Sequence, residues 1–524
     1  MRANSMGRLM VCSAAGILLM SACTRPTGET KPTPPVRATF EVSPCPRDVT
    51  RRIENEVSCG YLTVLENRGD PGGRSVRVFV TRIQPPDGEP SPDPMFLPGT
   101  NLGLPPYYEG IAPMAERTHR EVIIMDQRGL GHSEPILACP EVRPVAGVTI
   151  GTALMKALFL DAMQACHDRL TAQGIDVGSY NLAEIAADAE DLRMALGVDQ
   201  WNLITLGTAS SISFEIMRRY PEHVRAVVFD SPDAPQVDLL TEAVASTKYA
   251  VREVADACAA DPRCDRTFPD LLGAWNQALR RLHAHPSRLT DEGNSLSMEP
   301  GVRVVIDAAT AVRGMRNAFI WNAATFPRDV YSIQDYGYVI NREPGRELDA
   351  SWDPPFYQGY TPYYDSPAAG HFYSVGAIGT FYSVLCHDEV PFVDRAALAQ
   401  AAKGEPWYIE AYGESPYFQG CTRWDTGTAD ADPHAPVVSD IPTLILHGRF
   451  DPYSALPLIK EAAKSLPRSW VVEFPDWSHN VLGSDCGPEV RNGWIDDPTS
   501  PPDTSCVADM DPVRFEEPVR LVGS

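Results

Sequence analysis

Basic residues are scarce in this chain. Forty-five Lys and Arg stand against 69 Asp and Glu, a formal net charge of −24. That balance argues against a nucleic-acid partner, whose phosphates are neutralised by Lys and Arg. The acidity serves solubility instead. No Cys-x-x-Cys pair and no His-Glu-x-x-His occurs, so a zinc site is unsupported, and no metal or organic cofactor is implied. The apolar run at residues 9–20 is too short to span a bilayer as a permanent helix. What is present points to a folded protein. The 524 residues are 44% hydrophobic and 22% charged, enough for two domains or one large domain with an insertion.

The N-terminus reads as an address. Arg2 and Arg8 precede the apolar run, and Ser21-Ala22-Cys23 follows it. Small residues before a Cys resemble a bacterial lipoprotein signal, so residues 1–22 are expected to be a signal peptide and Cys23 a lipidation site. Ordinary secretion is the alternative. The protein is then exported and held at the outer face of the cell membrane by its lipid alone. Residues 23–40 read as a solvated tether, rich in Thr and Pro.

Ten further cysteines agree with export: Cys45, Cys59, Cys139, Cys166, Cys258, Cys264, Cys386, Cys421, Cys486 and Cys506. An even number in an exported chain suggests disulfides. Pairing in sequence order would make five local loops, although sequence alone does not fix connectivity.

Residues 45–85 alternate in short apolar runs around the turn cluster Gly69-Asp70-Pro71-Gly72-Gly73, an opening antiparallel hairpin. Apolar strands are expected at 94–97, 121–126, 201–206, 224–229, 441–446 and 469–474, with helices at 186–196 and 456–466 between them. Strands alternating with helices predict a mostly parallel sheet covered on both faces. Residues 236–404 break the pattern: 239–259 and 271–283 look helical, and aromatics crowd 333–382. This reads as a mainly helical cap or lid, inserted between core segments 41–235 and 405–524.

The stretch 201–221 is the centre of the chain. An apolar strand breaks at Gly207, and Ile212, Ile216 and Met217 then recur at helical spacing. Strand, sharp turn and helix frame a nucleophile elbow, which carries Ser in the pattern Gly-x-Ser-x-Gly. Here the five residues are Thr205-Leu206-Gly207-Thr208-Ala209. The frame is present and the serine is missing. Late in the chain Asp451 follows one strand and His479 the next. That is the order Ser…Asp…His of α/β-hydrolases, lacking its first member.

These segments resemble the secreted tripeptidyl-aminopeptidase-like family of actinobacterial α/β-hydrolases, which includes cell-envelope serine peptidases and esterases. The resemblance rests on Asp126-Gln127-Arg128-Gly129, Asp191 to Gly197, Trp201-Asn202-Leu203, Tyr220 to Arg225 with Asp230-Ser231-Pro232, Cys421-Thr422-Arg423-Trp424, Leu444 to Pro452, and Ser478-His479. It implies an α/β-hydrolase fold with a helical cap, His479 as general base and Asp451 as its orienter. The nucleophile position falls on Gly207, six residues after Trp201 and fourteen before Pro221. Oxyanion N–H groups are implied at Thr208 and in the loop Gly99-Thr100, where the family's Gly-Gly-Pro-Gly is altered.

Without a serine, three stand-ins are conceivable: Thr208, Ser210 and Ser211. A His479-activated water is a fourth route to hydrolysis. Otherwise the Asp451–His479 pair is structural, and the chain is a pseudoenzyme. It would then bind a peptide, ester, acyl or envelope ligand in the cleft under the cap, or a partner protein. A wholly structural envelope role is the third reading.

Overall fold

The computed structural model describes residues 38–51, 53–86, 88–99, 108–142, 153–290, 303–336, 378–414 and 416–516. The signal segment, Cys23 and Thr100 lie outside them. So do most of the tether and of the aromatic-rich stretch 333–382.

Nine strands form one sheet. They are β1 (Thr39–Ser43), β2 (Val57–Leu65), β3 (Ser75–Ile83), β4 (Ser91–Leu97), β5 (Arg120–Met125), β6 (Trp201–Leu206), β7 (Val224–Asp230), and the two late strands Thr443–Gly448 and Ser469–Phe474. Numbered after the short hairpin β8 (Ser287–Thr290) and β9 (Arg303–Ile306), those last two are β10 and β11. The sheet order is β1-β2-β3-β5-β4-β6-β7-β10-β11. β1, β2 and β3 pair antiparallel, as does β3 with β5. Every pairing from β5 onward across the sheet is parallel. β1 begins inside the stretch read as tether.

Side chains of the parallel strands point alternately into two cores, because successive residues face opposite sides of a sheet. Phe96, Ile123, Leu203, Phe229 and Ile445 enter one core with helices Ala153–Ala172, Leu182–Leu196 and Ser210–Arg219. Met95, Ile124, Ile204, Val228 and Leu446 enter the other with Pro113–Thr118 and Cys486–Asp496. Burial on both faces explains why these strands are near-continuous apolar runs. Each fully buried Val, Leu or Ile contributes about 1.5–3 kcal/mol. Helix Leu182–Leu196 starts four residues before the expected boundary, because Asn181 accepts from the backbone N–H of Glu184 and caps it.

Between β7 and β10 the chain runs through helices with a separate core. Leu240, Val251, Trp275, Val312, Phe319 and Tyr412 meet there. Packing does not divide at residue 404. Trp407, Tyr408 and Tyr412 lie in this second core, whereas Tyr382, Val384 and Leu385 lie in the core of the sheet. Among the described residues no helix is long and apolar enough to cross a membrane.

The ten cysteines form five disulfides: Cys45–Cys59, Cys139–Cys166, Cys258–Cys264, Cys386–Cys421 and Cys486–Cys506. Pairing follows sequence order.

Candidate functional site

The site is built where β6 ends. Trp201 stacks on Phe96 with ring centroids 3.8 Å apart, and Phe214 stacks on Phe229 at 4.4 Å. These contacts seat the strand and the helix after it. Leu206 is still extended, with φ −119° and ψ 133°. Gly207 then turns with φ +50°, a left-handed conformation costly for any residue with a Cβ. Ala209 and Ser210 are already right-handed helical. The elbow frame is therefore real, and glycine occupies its left-handed position.

Two of the three conceivable stand-ins are hydrogen-bonded away from the imidazole. Ser210 Oγ accepts from Asp233 N–H at 3.1 Å, and Ser211 Oγ donates to Thr208 carbonyl O at 2.6 Å. Thr205 is fully buried in the strand. Gly99, after β4, has φ +145°, and a Cβ there would meet Gln127 Nε2 at 2.2 Å.

Asp451 and His479 do come together. Asp451 is fully buried and accepts from His479 Nδ1 at 3.1 and 3.0 Å through its two oxygens. Tyr453 N–H and Ser454 N–H also donate to Asp451 Oδ1, at 2.8 and 3.3 Å. Gly448 makes the approach possible, since a Cβ on it would lie 1.7 Å from the Ser478 carbonyl O. The loop bearing His479 thus passes directly against the end of β10. With Nδ1–H given to Asp451, neutral His479 presents a lone pair at Nε2. Among the described residues no Ser or Thr hydroxyl bonds to this imidazole.

Burial opposes charge on both members of the pair, and their mutual attraction overrides it. His479 is raised above its ordinary pKa by Asp451, aided by Asp230 and Asp233. Asp451 is held below the usual carboxylate range by His479.

Two pairings between sequence neighbours do not form. Asp126 and Arg128 do not pair with each other. Arg128 instead binds Asp188 through two bonds, Nε to Oδ2 at 2.7 Å and Nη2 to Oδ1 at 2.6 Å, both side chains fully buried. Asp126 accepts from His132 N–H at 2.8 Å. Asp230 does not cap the turn that follows it. Its carboxylate accepts from Val481 N–H at 2.8 Å and Leu482 N–H at 2.9 Å, in the loop just after His479.

The sequence also hid an acid cluster. Asp233, Glu242 and Glu389 line one small cavity of about 30 Å³ with Ser210, Ser211 and His434, room for about two waters. Burial, then Glu389, pushes the Asp233 carboxyl up to about 7, against Arg316 and His479. Burial, then Asp233, pushes Glu242 well above its ordinary value. Arg316, from helix Ala308–Trp321, lies 3.8 Å over the Tyr453 ring and donates from Nε to Pro452 O at 3.2 Å. Tyr453 in turn packs 5.0 Å from the His479 ring. Only Asp233 had a sequence signal, standing next to Asp230-Ser231-Pro232.

The sequence profile described as "alpha/beta hydrolase fold" matches residues 95–485. The chain belongs to the α/β-hydrolase family. It is 24% identical over 202 residues to a tripeptidyl aminopeptidase of Streptomyces lividans, covering 36% of this chain and 37% of that protein. It is 25% identical over 301 residues to carboxylesterase B of Mycobacterium tuberculosis, covering 54% of this chain and 53% of that protein. The matches therefore span between a third and just over half of these relatives' lengths. A solved esterase from Thermogutta terrifontis is 14% identical, with TM-score 0.36, over 84% of this chain and 99% of the esterase. The chain is thus an α/β-hydrolase related to peptidases and esterases.

Proposed function

We propose that this protein is a catalytically impaired α/β-hydrolase, a pseudoenzyme that binds a peptide, acyl or cell-envelope ligand beneath its cap. One observation carries the reading. Gly207 holds the left-handed elbow position, while Asp451 and His479 remain hydrogen-bonded to each other in the chain order of a triad. Acyl transfer needs an atom that attacks the carbonyl, and His with Asp only prepares that atom. Loss of a triad member leaves roughly 10³–10⁴-fold acceleration from the remaining machinery. A ligand with an amine, such as a peptide N-terminus, would draw on the carboxylates Asp233, Glu242 and Glu389, whose cavity of about 30 Å³ admits little more than the ammonium group itself. The name of the Streptomyces aminopeptidase agrees. We place the protein outside the cell, anchored through an acylated Cys23.

A second reading keeps hydrolysis, with water activated by His479. The intact bond to Asp451 favours it, because an oriented and raised imidazole is what a general base needs. Fluorophosphonate labelling of the purified mature protein beside Gly207→Ser separates the two. Labelling of Gly207→Ser alone is the expected result. Labelling of the native protein at another hydroxyl overturns the pseudoenzyme reading. Hydrolysis of peptide or ester substrates without labelling, lost in His479→Ala, favours the water mechanism.

A further inference from the structure

His479 is held by more than Asp451. The three residues after it present consecutive backbone N–H groups to one place, the end of β7. Asn480 N–H donates to Ser231 Oγ at 3.2 Å. Val481 N–H donates to Asp230 Oδ1 at 2.8 Å, and Leu482 N–H to Asp230 Oδ2 at 2.9 Å. Ser231 Oγ closes the network by donating to Asp230 Oδ1 at 3.2 Å.

Both ends of this contact are backbone-specialised. Asn480 has φ +68° and Ser231 φ +52°, left-handed values that need local support in residues with a side chain. Ser231 N–H is tied to Leu446 O at 2.9 Å, so the receiving end is fixed to β10 as well. Asp230 and Ser231 are completely buried. A buried carboxylate left without donors is costly, and here each oxygen has one from the loop.

We infer that Asp230 and Ser231 form a brace that positions His479, in addition to its bond with Asp451. The inference rests on reading His479 as the working centre of the site. Two carboxylates then act on the imidazole by different routes. Asp451 orients the ring through Nδ1, and Asp230 fixes the backbone that carries it. The titratable groups around the imidazole include Asp451, Asp230, Asp233 and the buried His447. Arg491 faces Asp230 from helix Cys486–Asp496.

The test is NMR of histidine-labelled protein, with the His479 signal assigned by its loss in His479→Gln, and Gly207 left native. Asp230→Asn keeps the shape, removes the charge and turns one acceptor into a donor. We expect His479 to titrate about 0.5–1 pH unit lower in it, because an anion that favoured the imidazolium is gone. A folded Asp230→Asn with an unmoved His479 titration overturns the inference. Ser231→Ala keeps the charge and provides the second measurement, should Asp230→Asn not fold. Amide exchange at 480–482 should quicken about tenfold with the rest of the chain unchanged; unchanged exchange there also overturns it. Neither readout uses a restored nucleophile, so the brace and the pseudoenzyme reading fail separately.

Discussion

Lowering the pH from 8 to 5 should stabilise this protein. Burial pushes Asp230 up to about 6, and both Asp233 and Asp329 up to about 7, all from 3.8. Between those values the folded protein holds protons that the unfolded chain has released. The unfolded state therefore binds fewer protons, and stability falls as pH rises. A tenfold difference in proton affinity between the two states is about 1.4 kcal/mol, so the unit between 6 and 5 makes Asp230 alone worth about 1.4 kcal/mol over this range. His479 acts in the same direction. Its pKa is raised, so its stabilisation is complete below the unfolded value of 6.5 and is lost as pH climbs through the folded value. Asp451 acts oppositely, but its depressed pKa confines its loss to more acid solution, below 3.8. Over pH 8 to 5 these three carboxyls together contribute at most roughly 7 kcal/mol, and relaxation with water entry reduces the expected gain to about 3–5 kcal/mol. For a chain this long, that is an increase in Tm of roughly 3–5 °C. Thermal unfolding at constant ionic strength across pH 5–8 measures it. A flat or falling midpoint toward pH 5 refutes the reasoning. Relief of the overall negative charge would act in the same direction, and Asp233→Asn distinguishes the two. It alters one charge out of a net −24, yet should raise the pH 8 midpoint and leave that at pH 5 nearly unchanged. An equal effect at both values would assign the trend to net charge.

Arg128→Met should lower stability by about 2–4 kcal/mol in urea unfolding, because it leaves the buried carboxylate of Asp188 with Arg68 as its remaining cation. The double change Asp188→Asn with Arg128→Met should recover part of that loss. Replacing Cys386 and Cys421 by Ser opens a loop with sequence separation 35. It should cost about 3–4 kcal/mol through the entropy of the unfolded chain, measured under non-reducing conditions. Gly207→Ser should lower stability by about 1–2 kcal/mol, the cost of a side chain at positive φ.

The acid cluster is a place where the fold gives up local stability. Asp233 and Glu242 are held where burial penalises their charge. Groups of this kind gather at functional clefts more than in ordinary cores.

The sequence by itself determined the elements and their order. Strand, turn and helix around Gly207, the late Asp451 and His479, and the near-continuous apolar strands are all local patterns. Periodicity and turn chemistry act over a few residues, so they can be read without coordinates. The even number of cysteines pointed to disulfides in the same way, but their connectivity was decided by the fold. What tertiary structure decided was which distant groups meet. Arg128 found Asp188 rather than its neighbour Asp126. Asp230 turned from the loop it heads to the loop after His479, 251 residues away for Val481. Arg316, in a cap helix with no motif, reached Tyr453 beside the imidazole. Such pairings depend on the register of parallel strands and the docking of the cap, which no local pattern encodes. Gly207 is the case where both were needed. Its identity was legible in the chain, and its left-handed turn at the end of β6 was seen only in the fold.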